Sequence, residues 1–253
     1  MLLGLKMTKP YRTSFTNHSF SPFSSTCIKV ICLIILAFLL SFWNITHIQG
    51  SLSGIFAFNQ SLYPLIGMVA GPLLMSLWGF LNFVLHFSFS AAICKTLLAA
   101  HLASSCGMLY AALIASSNYL YFKRGLCAAM VFVCGIAFII HPVGRFALLY
   151  PCFWFIPLII AFIPKPSIFL TALGSTFACH AVGSVLWLYA GKIPSALAWN
   201  NLIPVVASER LIFALGSCII GMLFATLFAF IKSKLSFWLR PKIHQTLCVK
   251  NKI

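Results

Sequence analysis

The stretch IFLTALGSTFACHAVGSVLWLY, residues 168–189, decides the fold of this chain. It contains no Asp, Glu, Lys or Arg, and its 22 residues match the about 20 apolar residues that a helix needs to cross a bilayer. Six more apolar runs lie on either side of it, separated by short polar or Pro/Gly breaks. With residues 168–189 they make seven candidate segments, the other six being 30–46, 62–85, 97–120, 125–140, 146–163 and 205–231.

The composition agrees with a membrane protein. Hydrophobic residues make up 62% of the 253 residues and charged residues 7%, whereas soluble domains carry roughly 25% charged residues. We therefore predict an all-α, polytopic transmembrane helical bundle, with six core spanning helices plus an N-terminal apolar segment. A single helical domain is expected over residues 30–231, between a basic, polar and disordered tail (1–29) and a basic cytoplasmic tail (232–253).

The chain has 17 Lys and Arg against one acidic residue, Glu209. Glycoside hydrolysis and Mg²⁺-dependent phosphoryl transfer need several carboxylates, so we expect no ATP hydrolysis, no cofactor and no enzymatic activity of those kinds. His residues at metal-ligand spacing are missing, and no metal site is predicted. The basic residues lie between apolar runs, beside anionic lipid headgroups, which argues against a nucleic-acid partner.

The positive charges also predict orientation, because Lys and Arg are enriched in cytoplasmic loops. The C-terminal tail is strongly basic and is assigned to the cytoplasm. Counting segments backwards from it puts nine basic residues inside and three (Arg145, Lys192 and Arg210) at or near the outside. This bias predicts a multi-pass protein of the cytoplasmic (inner) membrane with a cytoplasmic C-terminus.

The first half of the chain allows two topologies. If every segment spans, the basic N-terminal tail and Lys95 lie outside, against the charge rule. If segment 97–120 is re-entrant, or segment 30–46 lies along the interface, six helices span and both termini are cytoplasmic. The predicted count is therefore six or seven spans.

Polar residues inside apolar segments are the candidates for function, because they are costly to place in a membrane. Most of them fall in the outer half of the predicted topology. Thr176, His180, Gly183 and Trp187 also share one helix face, which is typical either of a ligand-facing surface or of helix packing. The candidate substrate-binding residues are His141, Arg145, Thr176, His180, Trp187, Asn200, Glu209 and Arg210.

Glu209 is the only carboxylate that can balance a buried cation. Arg210 is adjacent in sequence but points about 100° away on a helix, which disfavours a pair between the two. Arg145 is the alternative partner, and it would tie the turn after segment 125–140 to the last helix. In that case Arg210 would be the better candidate for a substrate carboxylate or a lipid phosphate.

The stretch LYPLIGMVAGPLLMSLWGFLNFVLHF, residues 62–87, contains Gly67-x-x-x-Gly71 followed by Pro72. This spacing resembles a helix of the substrate-binding S components of energy-coupling factor transporters, and the chain is similar to them in size and hydropathy. The resemblance implies uptake of a vitamin or related micronutrient, with a transmembrane coupling subunit and ATPases as partners. It also implies that Ala99-x-x-x-Ala103 could contact the coupling subunit, although such small-residue pairs are more often internal packing.

Three functions follow from these patterns. The leading hypothesis is a small-molecule uptake protein with an outward-facing polar pocket, in which Arg145 or Arg210 holds an anionic group and Trp187 stacks on a ring. The second is an intramembrane enzyme that acts on a lipid-linked or phosphate-bearing substrate, with His141 or His180 as base. The third is a structural or assembly protein with a dry interior, whose partners are membrane lipids.

Overall fold

A computed structural model describes residues 22–47, 55–88, 92–116, 120–190, 193 and 195–250. Side chains are described for residues 26–43, 57–84, 99–116, 121–190, 193, 195–231 and 233–234. Residues 1–21 of the predicted disordered tail lie outside the described residues. Residues 22–29 belong to a helix that begins at Pro22 and ends at Leu40, so a disordered tail would end before the predicted position 29.

The described chain is a helical bundle with one small β-ribbon. The helices are α1 (Pro22–Leu40), α2 (Tyr63–Ser88), α3 (Ala92–Ala115), α4 (Leu120–Ile140), α5 (Phe155–Phe162), α6 (Ile168–Tyr189), α7 (Ala196–Asn201) and α8 (Ile203–Lys250). Three 3-10 turns precede or join them, at Phe58–Leu62, Gly144–Phe146 and Tyr150–Trp154. The ribbon pairs β1 (Asn44–His47) antiparallel with β2 (Ile55–Ala57).

The prediction of a helical membrane bundle is confirmed. Four helices of the described part are long and apolar enough to cross a bilayer, and three shorter apolar helices accompany them. The four are Phe58–Val84, Tyr121–Ile140, Ile168–Tyr189 and Ile203–Ile231, and the shorter ones are Thr26–Leu40, Ala99–Ala115 and Tyr150–Phe162. Each of the seven apolar runs in the sequence falls on one of them.

Helix α6 is the centre of the bundle, in contact with α2, α3, α4, α5 and α8. In the most apolar 18-residue stretch of α6, 56% of the residues are buried, against 22–33% in the corresponding stretches of the other three long helices. Small side chains allow this close packing. A Cβ added to Gly174 would lie 2.7 Å from the Tyr110 ring, and one added to Gly107 would lie 2.8 Å from the Cβ of Cys179.

Helix α2 is broken at Gly71, whose φ of 81° is left-handed, and Pro72 follows the break. Glycine tolerates that φ, and proline cannot donate to the preceding turn. The break divides α2 into a first arm (63–70) and a second arm (72–88). The Gly67/Gly71 pair therefore has two roles, since Gly67 packs tightly on α3 while Gly71 turns the chain.

The two arms run in opposite directions along α3. In the first arm Tyr63 lines the same cleft as Ser104, and a Cβ on Gly67 would meet the carbonyl oxygen of Met108. In the second arm Asn82 Nδ2 donates to Ser105 Oγ at 3.4 Å. In a straight helix, positions 67 and 82 would lie about 22 Å apart along the axis. Their neighbours in α3, Met108 and Ser105, are only about 4.5 Å apart along the axis of that helix. The chain therefore folds back at Gly71.

One predicted boundary differs from the structure. Segment 30–46 was expected to be helical throughout, but α1 ends at Leu40 and residues 44–46 enter β1, where Ile45 and Thr46 are β-branched and favour a strand. Segment 97–120 overlaps a continuous helix of 24 residues, α3. The alternatives that it spans the membrane or is re-entrant stay predictions.

Candidate functional site

Glu209 and Arg210 form a buried ion pair in α8. Arg210 Nη2 lies 3.4 Å from Glu209 Oε2, and the side chains are 2% and 3% exposed. Both residues lie about 10 Å into the helix from Ile203. The argument that adjacent residues diverge by about 100° was therefore wrong as a guide to pairing, because the long, flexible Arg and Glu side chains can bend towards each other.

Arg210 also reaches the segment before α2. Its Nη1 atom lies 3.4 Å from Gln60 Oε1, in the 3-10 turn Phe58–Leu62. Its guanidinium carbon lies 5.2 Å from the centre of the Phe213 ring, within cation–π distance. Arg210 thus connects α8 with the start of α2 through charge and hydrogen bonding.

Arg210 lines a cleft between α8, the start of α2, α3 and α6. We call this space the Arg210 cleft, and its lining residues are Gln60, Tyr63, Pro64, Ser104, Gly107, Ser175, Thr176, Cys179 and Arg210. The cavity volume there is about 10 Å³, room for about one water molecule and far below the roughly 300–1,000 Å³ of small-molecule sites. Its wall is mostly apolar surface, to which Arg210 and a few hydroxyl and amide groups add a polar part.

The hydroxyl groups of that wall donate within the bundle. Ser175 Oγ donates to the Gly107 carbonyl at 2.7 Å, and Thr176 Oγ1 donates to the Leu173 carbonyl at 3.0 Å. A hydroxyl that donates its proton still has acceptor lone pairs. The cleft therefore combines a cationic donor, Arg210, with hydroxyl oxygens that can accept from a ligand.

A second polar cluster joins His180 and Ser184 of α6 to Tyr150 of the 3-10 turn before α5. Tyr150 OH lies 2.8 Å from His180 Nε2 and 3.1 Å from Ser184 Oγ. Ser184 Oγ lies 3.4 Å from His180 Nε2. We call this set the Tyr150 cluster, and its three polar groups bond to one another.

Aromatic rings enclose the Tyr150 cluster. Phe138 stacks on Tyr150 with ring centres 5.5 Å apart, and Trp199 meets Tyr150 edge-on at 4.8 Å. Trp154 meets Phe138 edge-on at 5.3 Å. Such pairs stabilise a buried core beyond the area that they bury. This surrounding gives His180 the setting of a packed core histidine, which weakens the hypothesis that it acts as a catalytic base.

Of the predicted site residues, Thr176 and Arg210 line the Arg210 cleft and Glu209 pairs with Arg210, while the others do not belong to the lining. His180 bonds to Tyr150, Gly183 packs beside Ala103, and Trp187 lies against the main hydrophobic core. The proposed ligand-facing stripe on α6 is therefore mostly a packing surface, and only Thr176 lines the cleft. Ala103 is used internally by the same contact.

The suggestion that Arg145 pairs with Glu209 was wrong. Arg145 is exposed, and its guanidinium lies 4.9 Å from the Phe146 ring centre. Gly144 explains this position, because its tight approach to the Phe138 carbonyl fixes the turn next to the end of α4. The ion pair of Glu209 is made within α8.

His141 and Asn200 also lie outside the Arg210 cleft. His141 Nδ1 accepts from the Val143 backbone N–H at 3.2 Å, and its ring meets Tyr189 edge-on at 4.9 Å. Asn200 follows the buried Trp199 in α7, and its Oδ1 has no hydrogen-bond partner among the described residues. The contacts of His141 hold the turn after α4.

Sequence reasoning missed the residues that come from the start of α2 and from α3. Gln60 is a polar side chain directly before an apolar run, which was a usable signal for a membrane-buried contact. Ser104 and Ser175 gave weaker signals, because serine is also common at helix packing surfaces. Tyr150 lies in the apolar segment 146–163 and gave no separate signal.

Comparisons with family models, with curated proteins and with solved structures find no match to this chain.

Proposed function

We propose that this protein is a small-molecule uptake protein, the substrate-binding subunit of a multi-component transporter, and that its substrate binds in the Arg210 cleft. The observation that carries the proposal is a buried arginine, 1% exposed, on the wall of a small cleft inside an apolar helical bundle. A charge in such a place is costly and is by default a sign of function.

The chemistry of the wall suggests how a substrate is recognised. Arg210 supplies a planar fork of donors that suits a carboxylate or phosphate. Gln60 and Thr176 add polar contacts, and the Tyr63 ring takes the stacking role first given to Trp187. Because the cleft in this structure has room for about one water molecule, binding of a substrate requires the helices around it to move apart.

The fold-back of α2 supports a specific topology. Lys29 Nζ in α1 lies 5.6 Å from the Phe228 ring centre near the end of the α8 span. With the C-terminal end of α8 in the cytoplasm, the N-terminal end of α1 lies on the same side. Six segments then cross the membrane, namely α1, α3, α4, α6, α8 and the stretch that joins the 3-10 turn Tyr150–Trp154 to α5, and α2 enters and leaves from the outside.

This topology removes the conflict with the charge rule. Of the 17 Lys and Arg residues, thirteen lie inside, three (Lys95, Arg145 and Lys192) lie outside, and Arg210 lies in the membrane. The inside set consists of Lys6, Lys9, Arg12, Lys29, Lys123, Arg124, Lys165, Lys232, Lys234, Arg240, Lys242, Lys250 and Lys252. The bias supports the cytoplasmic membrane, with the Arg210 cleft in its outer half.

The proposed partners follow from the resemblance to S components. A single carboxylate gives this chain no means of binding Mg²⁺-ATP, so the energy for uptake would come from ATPases through a transmembrane coupling subunit. A vitamin or related micronutrient with an anionic group would be the substrate.

Native mass spectrometry of the detergent-purified protein tests the proposal. The wild type should carry a small molecule, Arg210→Ala should lose it, and the exposed Arg145→Ala should keep it as the matched control. Equal retention by both variants would refute the assignment. Co-purification of ATPase-containing partners with the wild type would further support the transporter class.

A second function, a structural or assembly protein, is favoured by the small volume of the cleft. In that case the contacts of Arg210 with Glu209 and Gln60 only lock α8 to the start of α2. Under this alternative, we expect the wild type to carry lipid alone. Arg210→Ala and Arg145→Ala should then retain the same molecules but differ in stability.

A further inference from the structure

A group of three cations lies where α4 and α6 begin and α5 ends. Lys123 and Arg124 are near the start of α4, and Lys165 is in the turn between α5 and α6. Arg124 Nη2 donates to the Ile163 carbonyl at 3.3 Å. Lys165 follows Ile163 by two residues, so their Cα atoms are at most about 7 Å apart. We call Lys123, Arg124 and Lys165 the Arg124 cluster.

Lys123 is a buried cation without an acidic partner. The residue is 8% exposed, and its Nζ donates to the hydroxyl of Ser116, directly after α3. A hydroxyl carries no charge, and the one acidic side chain of the chain, Glu209, is paired with Arg210 in α8. A buried charge is costly unless it is paired. The positive charge of the Arg124 cluster therefore calls for an anion from outside the chain.

The turn that carries Lys165 is held in one conformation. Pro164 and Pro166 flank the lysine and each fixes its own φ angle. Lys165 has a φ of 52°, which residues other than glycine rarely adopt, and its side chain is exposed. Backbone strain of this kind is found most often at functional sites. A rigid turn also loses little conformational freedom when it binds a ligand.

The Arg124 cluster lies at the ends of apolar helices. The apolar stretch Tyr150–Phe162 ends beside it, and the stretches Tyr121–Ile140 and Ile168–Tyr189 begin there. Tyr121 and Phe122 are strongly exposed, and an exposed tyrosine at a helix end is typical of the membrane interface. The surroundings thus offer cations at the level of lipid headgroups, with exposed apolar surface next to them for acyl chains.

We propose that the Arg124 cluster binds the phosphate group of an anionic membrane lipid. Arg124 supplies a planar fork of donors that suits phosphate, and the two lysines add compact positive charges. Basic pockets between membrane helices are known to hold such headgroups. None of the three cations lines the Arg210 cleft, so this inference is independent of the proposed function.

Native mass spectrometry of the purified full chain tests the inference, with phosphatidylglycerol or phosphatidylcholine of identical acyl chains added to the detergent. Each basic residue strengthens binding to an anionic lipid about fivefold, so two together contribute about 25-fold. The wild type should prefer phosphatidylglycerol by at least that factor. Arg124→Gln/Lys165→Gln should weaken phosphatidylglycerol binding by the same factor and leave phosphatidylcholine binding nearly unchanged.

A matched control removes the same charge elsewhere. Arg145→Gln/Lys234→Gln takes one cation from the turn after α4 and one from α8, and it should keep the wild-type affinity for both lipids. Lys123→Gln should weaken phosphatidylglycerol binding about fivefold. Because Lys123 is buried, this variant is compared only if its melting temperature stays near that of the wild type. The variant of Arg124 and Lys165, which are half-buried and exposed, decides the matter otherwise.

Four results overturn the inference. The first is equal affinity of the wild type for the two lipids, and the second is full phosphatidylglycerol affinity in Arg124→Gln/Lys165→Gln. The third is an equal loss in Arg145→Gln/Lys234→Gln, which would mean that net charge rather than a site attracts the lipid. The fourth is displacement of phosphatidylglycerol by inorganic phosphate at an equal concentration, which would assign the Arg124 cluster to a free anion.

Discussion

The Arg210 cleft and the Tyr150 cluster are two buried polar regions on the same central helix, α6, and they differ in how their groups are satisfied. In the Tyr150 cluster, neutral groups bond to one another at 2.8–3.4 Å within a shell of aromatic rings. At the Arg210 cleft, the guanidinium lies 3.4 Å from the Glu209 carboxylate and lines a space of about 10 Å³.

The bonding of the buried polar groups therefore distinguishes a packing cluster from a candidate binding site better than their buried fraction does. A neutral, enclosed network fixes one packing arrangement. A charged group beside a cleft is held less closely and can exchange partners. His180 and Arg210 looked alike in the sequence, as polar residues in apolar helices, but of the two only Arg210 lines the described cleft.

The largest effect is expected for Arg210→Gln. Removal of the guanidinium leaves a buried carboxylate without its cation, which costs about 3–5 kcal/mol of unfolding free energy. Glu209→Gln/Arg210→Gln should lose much less, because no net charge is then buried. Unfolding in detergent micelles measures both, and equal losses would show that packing rather than charge dominates the cleft.

Tyr150→Phe should have the next largest effect on stability and none on ligand binding. It removes the hydroxyl that bridges His180 and Ser184, and we expect a loss of about 1–2 kcal/mol, since hydrogen bonds inside membrane proteins contribute modestly. The same unfolding assay, combined with native mass spectrometry, checks both points. Loss of a bound ligand in this variant would place the two regions in one site.

Ser184→Ala should cost about 0.6 kcal/mol, the average for such a bond. The 2.8 Å contact between Tyr150 and His180 remains in this variant. The measurement is the difference in unfolding free energy from Tyr150→Phe. A loss as large as that of Tyr150→Phe would mean that Ser184, rather than the tyrosine, holds the cluster together.

The smallest effect is expected for Arg145→Gln. The side chain is exposed beside Phe146, and exposed substitutions usually change stability by less than about 0.5 kcal/mol. Melting temperature and ligand retention should both match the wild type. A marked loss of ligand would mean that the turn after α4 contributes to the binding site.

The sequence was sufficient to predict the helical membrane bundle and its seven apolar segments. A continuous run such as residues 168–189 permits few structures in a bilayer, because every backbone polar group must be bonded internally. The importance of Glu209 and Arg210 also followed from the sequence, since charges in apolar segments are rare.

Side-chain partners could not be predicted in the same way. The choice of Arg145 over Arg210 relied on helix angles and ignored the reach of long side chains. The stripe on α6 was ambiguous, because packing and ligand-facing surfaces have the same periodicity, and only the contacts of Gly183 with Ala103 and of His180 with Tyr150 decide it. The fold-back at Gly71 depends on a local φ angle that spacing does not reveal.

Helix α8 has 48 residues, a length of about 72 Å at 1.5 Å per residue. Arg210 lies near one end of it and Lys250 at the other, about 60 Å apart along the helix axis. A tilt of about 5° at Arg210 would move the far end by about 5 Å over that distance. A change in the ion pair that tilts α8 would therefore be measurable as a change in distance between a probe near Lys250 and the rest of the bundle.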